Sequence, residues 1–153
     1  MRRIAFVLLL ASATVAACGP REDPARAGLR ARLEQQEPLS AEEIARVFEE
    51  VNKTLAGRTV GLVRGSTKNE LGASEREVVL GMLTDRTGVF DEGLRSGGGR
   101  KARVFNAPGQ SSNPEIEASR RLFVDVESIL PLRFEFAHAF ASPDDYALDL
   151  TIE

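Results

Sequence analysis

The sequence predicts an α+β domain in which two main helices pack on an antiparallel sheet that finishes in a three-strand meander. Three observations predict it. Ile44, Val47, Phe48, Val51 and Leu55 recur at spacings of three and four, which places them on one helical face. Val78, Val79, Met82 and Leu83 give a second, shorter apolar stripe. From Leu122 to the end of the chain, three runs alternate apolar and polar residues, the pattern of antiparallel strands with one covered face.

The chain opens on Met1-Arg2-Arg3 and runs apolar from Ile4 to Ala17. As a helix those fourteen residues would reach about 21 Å at about 1.5 Å each, short of the roughly 30 Å hydrocarbon core of a bilayer. Two arginines followed by a short apolar core and small residues are the parts of a secretory signal. Val15-Ala16-Ala17-Cys18 resembles the lipobox of bacterial lipoproteins, and Cys18 is the single cysteine of the chain. The resemblance implies cleavage after Ala17, lipid on Cys18 and, with Gly19 rather than an acid next, an outer-membrane location facing the periplasm. With Cys18 modified, no thiol is left for a disulfide or a cysteine metal site.

Residues 18–39 are expected to be the lipidated cysteine and a tether. Pro20, Pro24, Gly19 and Gly28 break the polar run Gly19–Gly28, and Leu29–Glu37 offers only Leu29 and Leu33 to a short helix that Pro38 stops. The single domain is then 40–153, large enough for one real core.

Ser40 and Glu43 form a capping box that opens the first main helix, and Gly57 closes it. Arg58–Arg64 reads as a strand, Gly65–Gly72 as a polar loop. Ser74 with Glu77 repeats the capping-box spacing and opens the second helix, expected to end near Gly88. Val89–Arg95 and Arg100–Phe105 flank Ser96-Gly97-Gly98-Gly99 and suggest a hairpin, with prolongation of the helix over Val89–Leu94 as the alternative. Asn106–Pro114 carries the residues of a loop.

In the meander, Leu122, Val124 and Val126 share one face of the first strand. Leu132, Phe134, Phe136, His138 and Phe140 share a face of the second, with Arg133 and Glu135 opposite. Ser142-Pro143-Asp144-Asp145 is a turn, and Tyr146, Leu148, Leu150 and Ile152 alternate in the third.

Charge and chemistry narrow the function. A formal net charge of −3 argues against nucleic acid as a partner. His138 is the only histidine and lies on the phenylalanine face, so neither a metal set nor a catalytic triad can be traced. Asp125 and Glu127 read as acids on the wet face of a strand, and Asp144-Asp145 as turn residues. Gly61–Lys68 has the wrong spacing for a phosphate loop, and Ser66 with Lys68 reads as exposed loop rather than a catalytic pair. Arg120-Arg121 is either a small anion patch or a pair of edge-strand charges. No cofactor is expected.

Phe123, Val124, Asp125, Pro131 and Arg133 within RRLFVDVESILPLRFEF resemble a hairpin of periplasmic lipoprotein-carrier proteins and their outer-membrane receptor. That resemblance implies a curved sheet closed by helices over an apolar cavity that takes acyl chains. The functional expectation is a non-catalytic, lipid-anchored envelope protein that binds an apolar ligand, with Phe134, Phe136 and Phe140 as its face, or a partner protein. A filled core would point instead to a structural or scaffolding role, and an envelope enzyme is the third reading.

Overall fold

A computed structural model of the chain describes residues 22–64, 66–109, 118–138 and 147–153. In chain order they form α1 (Pro24–Leu33), α2 (Ala41–Leu55), β1 (Val60–Arg64), β2 (Thr67–Glu70), α3 (Ala73–Leu80), a 3-10 turn (Gly81–Leu83), β3 (Phe90–Gly97), β4 (Arg100–Pro108), β5 (Ala118–Asp125), β6 (Pro131–His138) and β7 (Ala147–Ile152). The strands make one sheet in the order β2-β1-β7-β6-β5-β4-β3, every pair antiparallel. The α+β arrangement and the C-terminal meander, β5-β6-β7, are as the sequence predicts.

Helix α2 is the centre of the core. The Ser40 hydroxyl accepts from Glu43 N at 3.3 Å and the Glu43 carboxylate accepts from Ser40 N at 2.7 Å, so two amides that the helix leaves free are satisfied. Its predicted stripe, Ile44 to Leu55, is wholly buried. Phe48 meets Phe105 of β4 edge to face, with ring centroids 5.0 Å apart and planes at 75°. Gly57, at φ +74°, turns the chain toward β1.

Several expectations need correction. The tether expected over 18–39 gives way at Pro24 to helix α1. The Asp23 carboxylate accepts from Ala25 N at 3.0 Å, and Pro24 occupies a first-turn position where its missing N–H costs no bond. Leu33 and Leu39 enter the main core, so packing begins ahead of Ser40. The polar loop expected at Gly65–Gly72 contains β2, whose four residues are all exposed; it is an edge strand held by backbone pairing to β1, with no apolar alternation to announce it. Helix α3 opens at Gly72 rather than Ser74, because the Glu75 carboxylate reaches back to Gly72 N at 3.0 Å. It is also shorter than expected: it ends at Leu80, Val78 points outward at 53% exposure, and Met82 and Leu83 are buried from the 3-10 turn.

A further correction concerns strand faces. Leu122 of β5 lies opposite Phe134 of β6, and Phe123 opposite Arg133, but Val124 pairs with Pro131. The extra residue is a bulge, and it turns Leu132 onto the far face, where it packs with Ala102, Val104 and Phe123 instead of with Phe134.

Residues 90–97 are strand, not helix. The β3–β4 hairpin turns at Gly98 and Gly99, with φ +57° and +76°, the two successive positive values of a type I′ turn. Strand β4 continues through Pro108, into the run expected to be loop. A second bulge, between Asp91 and Gly93, interrupts β3 at the other sheet edge.

Candidate functional site

Of the proposed ligand face, Phe134 is covered by the protein itself. Phe134 is 2% exposed and belongs to the same cluster as Phe48, Val51, Phe105 and Leu122. Phe136 is half-buried against that cluster. Phe140 lies outside the described residues, as do the side chain of His138, Asp144, Asp145 and Cys18. Two grooves among the described residues have more charged than apolar residues in their lining. One, of about 480 Å³, runs between α1 and α2; the other, of about 390 Å³, lies beside Arg30, Arg100 and Glu127.

The most enclosed polar group is one that the sequence reading missed. Arg103 of β4 shares strand parity with Phe105 and Ala107, so its guanidinium points into the core side of the sheet. It donates from Nε to both carboxylate oxygens of Asp91, at 2.8 and 2.9 Å, and from its Nη atoms to the carbonyls of Leu33, Gln35 and Glu37. Asp91 also accepts from Leu39 N at 2.7 Å and Gly93 N at 2.8 Å. Burial pushes the Asp91 carboxyl up, but Arg103 and these two amides outweigh it and hold it below its ordinary value. The pair therefore clamps the α1–α2 connection to the edge of the sheet. Its sequence signal was a cation on the apolar parity of a strand.

The opposite face of the sheet carries a second missed feature. Glu92 accepts from Asn106 Nδ2 and, at 3.1 Å, from Arg121 Nε, while Arg95 Nη2 lies 3.1 Å from its other oxygen. One strand beyond Arg121, Arg133 donates to Glu135 at 2.9 Å and reaches Asp149 at 3.4 Å. Arg121 and Glu135 stand directly opposite in the β5–β6 register, so alternating charges cross the sheet from β3 to β7. These ion pairs can position a polar partner surface; they contain no nucleophile with a base beside it.

The other sequence candidates separate. Arg120 and Arg121 lie on β5, an interior strand, not an edge. They point to opposite faces, and the Arg120 Nε is buried with no hydrogen-bond partner among the described residues. Asp125 is not on a wet face: β5 ends there, and its carboxylate accepts from Ser128 N at 3.0 Å and pairs with Arg100, while Glu127 is exposed in the turn. Ser66 and Lys68 are exposed at the β1–β2 hairpin, and Lys68 reaches Glu153 at 3.4 Å. Among the described residues no cluster of His, Cys, Asp and Glu is arranged to hold a metal ion, and no helix is long and apolar enough to cross a membrane. The chain matches no family model, no curated protein and no solved structure.

Proposed function

We propose that this is a lipid-anchored protein of the bacterial cell envelope, non-catalytic, with a structural or scaffolding role in which it presents a folded body to a partner protein at the membrane. The anchor reading rests on the leader and on Cys18. The choice of a protein partner over an apolar ligand rests on one observation: Phe134 is buried in the same core cluster as the α2 stripe. An acyl chain entering there would have to displace Phe48 and Val51, each fully buried. The carrier resemblance of residues 120–136 thus extends to a hairpin and not to an open cavity among the described residues.

Metabolic labelling with a clickable fatty acid tests the anchor: wild type labels and Cys18→Ala does not. Native mass spectrometry of a form beginning at Gly19 tests the filled core. Bare protein is expected; a stoichiometric co-purifying lipid would sink the partner reading in favour of ligand binding.

A further inference from the structure

We propose that the face carrying α1 and the adjoining side of α2 is held against the phospholipid headgroup surface, an inference that rests on lipidation of Cys18. Five residue steps separate Cys18 from Asp23, the cap of α1. At about 3.3–3.6 Å per residue, that stretch spans at most about 18 Å. A tether running through residue 39 would have spanned roughly 70 Å at the same rise and left orientation free. Helix α1 removes that freedom because it cannot act as a leash.

Four contacts fix it to the body. Leu33 is buried in the main core. Arg103 grips the carbonyls of Leu33, Gln35 and Glu37. Arg26 donates to Ser128 O in the β5–β6 turn at 2.8 Å and lies 3.4 Å from Glu50 of α2. Arg32 donates to Glu43 at 2.6 Å. A lipid on Cys18 therefore pulls on the rigid body through the start of α1.

The chemistry of the face suits headgroups rather than acyl chains. The groove between α1 and α2 is lined by Arg26, Arg32 and Arg46 together with Glu43, Glu49 and Glu50. Cations and carboxylates side by side complement a layer of phosphates and amines. The exposed positions of α1 include Ala25, Ala27 and Gly28, not the bulky apolar residues that bury a helix in the interface. The surface is apposed to the bilayer, not inserted. Strand β2, at the sheet edge remote from the Arg103 clamp, is up to six inter-strand steps of about 4.8 Å away from β3.

The test uses the full-length, processed protein reconstituted in phospholipid vesicles that carry a headgroup quencher. Single reporter cysteines are introduced by Ala27→Cys on α1 or Thr67→Cys on β2 and labelled with an environment-sensitive dye, which an acylated Cys18 does not take. Quenching several-fold stronger at position 27 than at position 67 is expected. A second pair, Lys53→Cys and Glu70→Cys, should repeat the ranking. Equal quenching, or the reverse order, in protein whose intact mass shows the acyl chains overturns the orientation and leaves the anchor standing. An unmodified Cys18 in that mass overturns both.

Discussion

Arg103 and Asp91 form a doubly hydrogen-bonded ion pair whose side chains are 0% and 1% exposed. Removing two charges from water costs several kcal/mol per ion, on the order of what their attraction returns, so such a pair is tolerated only when every remaining donor and acceptor is satisfied. Here the three carbonyls of the α1–α2 connection and the amides of Leu39 and Gly93 complete the set. The pair is better regarded as a device that sets where α1 sits than as a source of stability.

Arg103→Met leaves Asp91 and three carbonyls without their donor, and is expected to cost about 3–5 kcal/mol in urea denaturation of the form beginning at Gly19. Arg103→Met combined with Asp91→Asn should cost less than Arg103→Met alone, because no uncompensated charge remains. A double variant at least as damaged as the single would show that the hydrogen bonds, not the charge, dominate.

Acid should weaken the fold through carboxylates held in their charged form. The Arg32 guanidinium, and after it the Ser40 amide, hold the Glu43 carboxyl down at about 2. Asp91 is depressed as well. A depressed carboxyl contributes stability that is fully present above its unfolded value, about 4.3 for Glu, and lost as pH falls through its folded value. The urea midpoint should therefore hold near neutrality and decline from about pH 4.3 toward pH 2, and Glu43→Gln should show a shallower decline over that window.

Ile129 is buried in the β5–β6 turn at φ +55°, a conformation unfavourable for a β-branched residue. Its amide donates to Asp125 O at 2.9 Å, and Leu130 O accepts from Asp125 N, so the turn is fixed on both sides. Ile129→Ala and Ile129→Gly both lose buried side chain, about 2–5 kcal/mol. Gly alone also relieves the backbone, by roughly 1–2 kcal/mol. The glycine variant should match or exceed the alanine variant in thermal midpoint, reversing the usual order of these residues. An alanine variant clearly more stable would contradict the strain.

Gly97 is buried beneath Phe123; a Cβ there would lie 2.9 Å from the ring's Cδ1. Gly97→Ala should cost about 1–3 kcal/mol through displacement of the ring. Gly98→Asn, one residue on at positive φ in an open turn, should change stability by less than about 0.5 kcal/mol. Chemical denaturation of both variants separates crowding from turn chemistry.

What could be read in advance follows physical lines. The Ser40 cap, the α2 stripe and the alternation of β7 were legible because local chemistry and burial agree there. Helix α1 was not, since PARAGLRARL has a weak stripe and depends on distant partners such as Arg103 and Ser128. Strand β2 was missed because Thr67–Glu70 has no buried side, and Leu132 was placed on the wrong face because a bulge reverses parity without leaving a mark in composition. At the candidate site, Phe134 was rightly placed on the apolar face, but only three-dimensional packing reveals that it is buried in the main core.

The seven-stranded sheet finishes on one side in four solvated residues and on the other in a kinked strand. A sister copy seeking to prolong the ladder meets Lys68 and Glu70 at the first margin and the Asp91–Gly93 irregularity at the second. Neither margin offers the straight, greasy template on which fibres grow. Molecules crowded together can thus stay individually folded instead of zipping into aggregates.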